Sequence, residues 1–288
     1  MQKLANLRVS AYGLGMPSTL DRFVDDLLAR GRATFSREEA QRAVALTRSG
    51  LDAALVRLGQ RGRAVNLYKG FYVVLRPEDV AYGVPDPAQW IDPLMDHLKL
   101  DYRVSLLRAA ALHGASHQAA MVFQVVVPRQ LRSFEIGRAR VQFVTQAVRD
   151  FDAVNQAEFL TSIKSRAGFA KAAGVELTLL DSARYSEKAG GINGVAQMVM
   201  TFGDKAAPRR LSQLAAHYET PCVRRLGFLL EHFRHDKQAK ALEAFATKAK
   251  TTVLLDPAAK PVIVSLAEDF ETNGKWKLLL NGEVEIDL

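Results

Sequence analysis

One cysteine, Cys222, stands in the 288 residues. That excludes an internal disulfide and suits a reducing compartment. Long apolar runs are missing too. The longest, around Met121–Val127, is interrupted by Gln124 and is strand-like, well short of the ~18 residues that mark a membrane-spanning helix. Lys3 and Arg8 lie near the N-terminus, but the apolar core and small-residue cleavage site of a signal peptide are lacking. Hydrophobic residues make up 48% and charged residues 24%, which excludes the disordered and fibrous classes. The expectation is a soluble, cytoplasmic protein with no membrane partner and enough length for two domains.

Signatures of catalysis are equally sparse. There is no phosphate-cradling Gly-rich loop and no GxSxG elbow. His113 and His117 are four apart, which suits a metal on a helix face, but Gly114 breaks that helix and no third ligand is apparent. His232 and His235 fall at the solvent-side end of a helix. Cys222 lies where a helix starts and a thiol acidifies, yet no base pairs with it, and a buried structural cysteine is the plainer reading. The run Glu283-Val284-Glu285-Ile286-Asp287 resembles metal carboxylates, but no lysine follows at nuclease spacing. No catalytic residue, metal or cofactor is expected, and the chain reads as a non-enzyme.

Acid is what the first quarter lacks. Residues 1–76 hold 13 Lys/Arg against 6 Asp/Glu, whereas residues 77–288 hold 26 against 25. Nearly all the excess of +8 is therefore in one segment, as expected of a domain that meets a polyanion joined to one that does not.

That segment has a legible plan. Ser18 is placed to cap a helix running to about Arg30, with Leu20, Phe23, Val24, Leu27 and Leu28 on one stripe and Gly31 ending it. Ser36-Arg37-Glu38-Glu39 is a capping-box pattern that opens a short second helix, about Arg37–Ala45. A turn follows at Leu46–Gly50, with Thr47 or Ser49 starting a third helix. Leu51, Ala54, Leu55 and Leu58 face inward, leaving Arg48, Ser49, Asp52, Ala53, Val56 and Arg57 outside. Ala64–Leu67 and Phe71–Leu75, joined through Tyr68-Lys69-Gly70, make a hairpin. Three helices and a hairpin form a winged helix-turn-helix, whose third helix lies in the major groove of duplex DNA. The residues expected at DNA are Arg37, Thr47, Arg48, Ser49, Asp52 and Arg57, with Arg61, Arg63 and Lys69 placed for phosphates.

The remainder reads as a larger mixed α+β domain, so the fold class is α+β. Pro77, Pro85, Pro87 and Pro93 mark the boundary, giving domains 1–76 and 85–288 with a linker at 77–84. A helix is expected over about Asp92–Leu98, another over Val104–Leu112 stopped at Gly114, and a strand at Val122–Val127. A basic hairpin at Pro128–Val144 follows, its Arg129, Arg132, Arg138 and Arg140 opposed only by Glu135. Val175–Leu180 is a strand or a helix start, ended by Asp181. Ser182–Ala189 is helix-like up to Gly190-Gly191. Thr220-Pro221 starts a helix with the stripe Leu226, Leu229, Leu230, Phe233. Residues 275–288 alternate as a hairpin turned at Asn281-Gly282.

Several segments together carry a resemblance: Gly70-Phe71-Tyr72, Tyr102-Arg103-Val104-Ser105-Leu106-Leu107, Ala111-Leu112-His113-Gly114 with Gln118, and Thr178-Leu179-Leu180-Asp181. Gly190-Gly191-Ile192-Asn193, Arg225–Glu231, and Trp276, Asn281 and Val284-Glu285 complete the series. In this order the chain resembles the AbiEi antitoxins of bacterial type IV toxin–antitoxin systems. The resemblance implies an N-terminal winged helix that represses its own operon by binding inverted repeats in the promoter. It implies a C-terminal domain that neutralises a nucleotidyltransferase-like toxin without requiring a stable complex. Cooperative self-association on operator DNA and residence at the nucleoid when bound fit that picture. Gly190-Gly191 and Arg224-Arg225 admit either a functional role or, respectively, a helix cap and a solvated helix face. The rival readings are a stand-alone winged-helix regulator whose C-terminal domain senses a ligand or oligomerises, and a DNA-acting enzyme with a winged-helix targeting module.

Overall fold

The computed structural model describes residues 19–115, 122–259, 270–282 and 284. Tertiary contacts divide the chain into two units, one ending at Pro77 and the other beginning at Glu78.

In the first unit, helix α1 (Thr19–Ala29) buries Leu20, Val24 and Leu27, with Phe23 and Leu28 half-buried beside them. This is the stripe expected from the spacing. Ser18, the expected cap, lies outside the described residues. A strand that the sequence did not announce follows, β1 (Thr34–Ser36), too short to show an alternating pattern. Ser36 caps helix α2 (Arg37–Ala43), its Oγ accepting from the Glu39 backbone N–H at 3.0 Å. The Glu39 carboxylate is drawn to Arg32 instead of back to Ser36, accepting two hydrogen bonds at 2.7 and 3.0 Å; a two-pronged guanidinium is the stronger donor. Helix α3 (Arg48–Gln60) and strands β2 (Ala64–Tyr68) and β3 (Phe71–Val74) complete the unit. The sheet runs β1-β3-β2, antiparallel throughout. Phe35 of β1 stacks on Tyr72 of β3 at 5.1 Å and meets Phe23 edge-on at 5.5 Å, so the third strand closes the core. This element order is compatible with the winged helix-turn-helix expected from the sequence.

The second unit is built on a six-stranded mixed sheet, β6-β7-β5-β4-β9-β8. Its strands are β4 (Arg103–Val104), β5 (Val122–Val127), β6 (Phe134–Ile136), β7 (Ala139–Thr145), β8 (Leu160–Ser165) and β9 (Gly168–Ala173). β5 and β7 pair in parallel, as do β4 and β9; the other neighbours are antiparallel. The basic segment is thus a hairpin whose second strand also joins the expected Val122–Val127 strand. Arg140 pairs with Glu135 at 2.6 Å, and Arg138 lies over the Tyr82 ring at 4.8 Å.

Three expectations need correction. The helix expected from Val104 begins at Leu106 (α5, Leu106–His113), because Val104 pairs with Val125 on one side and Ala172 on the other. Filling a gap in the sheet outweighs local helix preference. Val175–Leu180 is helix, and it does not end at Asp181: α7 runs Val175–Arg184 with Glu176 to Ala183 all buried. A helix enclosed on every side has no polar face, so its period is unreadable. Finally, the terminal hairpin is turned elsewhere. β12 (Leu278–Leu279) lies between β10 (Val253–Leu254) and β11 (Thr272–Asn273), and both its edges are taken. Asn281 is buried, its Nδ2 donating to the Asp256 and Ala259 carbonyls at 2.8 and 2.6 Å. Glu283 and residues 285–288, where metal-like carboxylates were weighed, lie outside the described residues.

The helices α4 (Ile91–Leu98), α6 (Val148–Val154), α8 (Gly191–Phe202), α9 (Pro208–Ala215), α10 (Thr220–His232), α11 (Asp236–Lys240) and α12 (Glu243–Thr247) complete the α+β unit. α7 packs against α5, α8, α9 and α10. Two 3-10 turns, Pro77–Tyr82 and Pro87–Gln89, occupy the Pro-rich stretch. Among the described residues no helix is long and apolar enough to cross a membrane.

Candidate nucleic-acid interface

Helix α3 is two-faced. Leu51, Ala54, Leu55 and Leu58 are buried, and their i, i+3, i+4, i+7 spacing turns the intervening residues outward. Arg48, Ser49, Asp52, Ala53, Val56 and Arg57 are all exposed, Val56 by 60%, a large value for an aliphatic side chain. Thr47 caps the helix, its Oγ1 accepting from the Gly50 N–H at 3.2 Å and lying 3.4 Å from the Ser49 hydroxyl. Among the described residues neither Arg48 nor Arg57 makes an ion pair.

The remaining site arginines are engaged with acids of the same unit. Arg61 donates twice to Asp21, at 2.9 and 3.0 Å. Arg63 reaches Asp25 and lies 3.7 Å from Asp21. Since Asp21 is 4% exposed, these two arginines fasten α1 to the segment leaving α3. Arg37 donates to Oδ1 of Asp52 through Nε at 2.9 Å and Nη2 at 2.6 Å, and its backbone N–H donates to the Gly70 carbonyl at 2.8 Å. That bond ties the start of α2 to the hairpin turn. Lys69 and Gly70 form the turn, with φ of 47° and 77°, the left-handed pair that a two-residue hairpin loop requires. Lys69 stands at its tip, its ammonium 5.3 Å from the Tyr68 ring centre. All nine residues named from the sequence lie in the first unit, but the sequence could not tell a cation facing solvent from one held by an acid forty residues away.

In the second unit the most concentrated polar chemistry is sealed. Arg103 and Asp181 are both 0% exposed and form a two-pronged pair, Nε to Oδ2 at 2.9 Å and Nη2 to Oδ1 at 2.8 Å. Ser105 and Tyr218 donate hydroxyls to the same carboxylate, each at 2.6 Å, and Gln146 accepts from Arg103 at 2.6 Å. Burial works against the guanidinium charge, yet the Asp181 carboxylate more than compensates and raises its pKa above the ordinary value. Burial likewise pushes the Tyr218 phenol well up. With no solvent access, this cluster holds β4 to α7.

Other candidates resolve structurally. His113 has a ring nitrogen 3.0 Å from the Ala173 carbonyl, and His117 lies outside the described residues. His235 contacts the Val199 carbonyl at 3.0 Å. Burial pushes the Cys222 thiol up to about 12, the opposite of the acidification that a helix start favours. Arg224 is not on a solvated face: it is 1% exposed, and Nη1 donates to the Thr251 and Lys277 carbonyls at 2.7 and 3.2 Å. Arg225 donates to the Leu254 carbonyl at 2.9 Å. Gly190 and Gly191 lie at positive φ where α8 begins.

Comparison with known proteins adds a family and a fold. Residues 103–232 match the family model described as the AbiEi antitoxin C-terminal domain. The matched stretch begins at Arg103 of the buried pair and includes Asp181 and Tyr218. The crystal structure of the RV2827C protein from Mycobacterium tuberculosis is similar over 92% of either chain, with a TM-score of 0.64 and 15% sequence identity. At that identity the likeness shows the fold alone. No curated protein matches the chain.

Proposed function

We propose, from the premise that this chain belongs to the AbiEi antitoxin family, that it is both an antitoxin and the repressor of its own operon. Residues 1–76 act as a winged helix-turn-helix that binds inverted repeats in the promoter, with α3 in the major groove and Lys69 on a flanking phosphate. Residues 85–288 neutralise a nucleotidyltransferase-like toxin, and a lasting complex with it is not required. The role is regulatory rather than enzymatic.

One observation carries the DNA half of this reading. The outer row of α3 is exposed and bears Arg48 and Arg57 without ion pairs among the described residues. In the same unit Arg32, Arg37, Arg61 and Arg63 are spent on Glu39, Asp52, Asp21 and Asp25. An exposed helix face that keeps its cations unneutralised, next to a two-residue wing, suits a phosphate-lined groove.

The test pairs a promoter reporter with toxin co-expression, using the full-length protein and an Arg48→Ala/Arg57→Ala double variant. Wild type is expected to repress the promoter and relieve toxicity. The variant is expected to lose repression at least about tenfold, since each arginine–guanine contact is worth ~1–3 kcal/mol, while still relieving toxicity. Repression unchanged in the variant would displace α3 from the interface. Failure of wild type to relieve toxicity would remove the antitoxin half.

A further inference from the structure

The sequence of α3 contains a single acid, Asp52, and it sits in the middle of the outer row between Arg48 and Arg57. An unneutralised carboxylate there would oppose a phosphate-lined groove. The structure has an answer to that repulsion, and the answer leaves half of the carboxylate unused.

Both contacts from Arg37 fall on one oxygen, Oδ1. Among the described residues Oδ2 accepts no hydrogen bond. The side chain of Asp52 is 55% exposed and that of Arg37 only 23%, so the acid stands outward with the guanidinium tucked behind it. Arg37 is itself anchored, since its backbone N–H is bonded to Gly70. Arg48 lies one turn before Asp52, at i−4, yet leaves it alone. A cation N-terminal to an acid is the weaker order for such a helix pair, and Arg37 is better placed. An exposed ion pair contributes little stability, a median of ~0–1 kcal/mol, so stability is a poor reason for this arrangement.

The geometry points to Asp52 as the residue that reads a cytosine in the major groove, with Oδ2 accepting from the base's N4 amino group and Arg37 as the positioning residue that neutralises and aims it. A carboxylate only accepts hydrogen bonds, and the major-groove donors are cytosine N4 and adenine N6. Adenine carries the N7 acceptor beside its amino group, which repels a carboxylate. Cytosine has no acceptor of its own on that edge. This inference deepens the proposed function and rests on α3 being the recognition helix.

Selection of binding sites from a randomised duplex pool, using the full-length chain, tests it. Wild type is expected to select a cytosine at one position in each half-site. Replacing that pair by A·T should cost roughly 5- to 100-fold in affinity. Asp52→Ala should lose the preference at that position only, with affinity for random duplex rising because a negative charge is gone. Asp52→Asn should shift the preference toward adenine, whose N6 and N7 an amide matches. Arg37→Gln should weaken the cytosine preference, and Arg37→Lys should restore part of it; a merely structural pair would leave base preference untouched. If Asp52→Ala and Asp52→Asn select the same sequence as wild type, Asp52 reads nothing and the inference is overturned, with DNA binding intact. If wild type selects no duplex at all, the recognition-helix reading falls and takes this one with it.

Discussion

Gly227, in the middle of α10, lies so close under the Trp276 indole that an added β-carbon would stand 2.1 Å from the ring. Trp276 is fully buried, and its indole N–H donates to Glu231 one turn further along the same helix. Both residues belong to the segments that suggested the family, and their relationship explains the glycine: it is a docking groove for the tryptophan.

Helix preference alone predicts that Gly227→Ala stabilises the protein by ~1 kcal/mol. Overpacking against a fixed ring costs ~1–3 kcal/mol or more, and here the ring has no room to yield. Gly227→Ala is therefore expected to lower stability, measured by denaturant unfolding. A gain would show that the indole moves freely.

The buried pair offers a sharper test. Arg103→Met leaves the Asp181 carboxylate sealed and unpaired, and Asp181→Leu does the same to the guanidinium. Each should cost ~3–5 kcal/mol. The double variant removes both charges and should be less damaged than the sum of the singles. Strict additivity in that cycle would mean the two groups do not interact.

The arginines of the first unit should separate into two classes. Arg48→Ala and Arg57→Ala should each lose ~1–3 kcal/mol of operator affinity with stability unchanged. Arg61→Ala removes two hydrogen bonds from the buried Asp21 and should lower stability by ~1–3 kcal/mol. Lys69→Ala should reduce the slope of log affinity against log salt by about 1 on any sequence. Thermal melts and salt titrations on the same four proteins check the division.

Cys222 should be inert. With its thiol pushed up to about 12 by burial, almost no thiolate exists at pH 8, and thiolate is the reactive form. A chromogenic disulfide reagent should label the native protein negligibly and the denatured protein fully. The linkage has a defined sign: the folded pKa is raised, so the contribution to stability is present below about 9 and is lost as pH rises toward about 12. Rapid labelling of native protein would place the sulfur at the surface.

Much of the first unit was legible because its elements are local and half-exposed. Leu20, Val24 and Leu27, and again Leu51, Leu55 and Leu58, each mark one face of a helix, and the contrast with the polar face is what periodicity reads. The segments carrying the family resemblance were visible too, although their reason was not. Arg103 and Asp181 look like ordinary charged residues 78 positions apart, and nothing local announces that they pair with each other in a dry core. The same holds for Arg224, which reads as a surface arginine and is buried.

Composition and periodicity by themselves determined that the chain is α+β, that its positive charge lies at one end, and that α3 has an inner and an outer face. Those properties follow from side-chain chemistry repeated at short spacing. Tertiary structure alone decided which charges are free. Asp21, Asp25 and Asp52 reach arginines 40, 38 and 15 residues away, and pairing across such separations depends on how helices pack, which no local pattern encodes. The physical reason is that a charge has no fixed meaning until its neighbours are known: in water it needs no partner, and in a core it must have one.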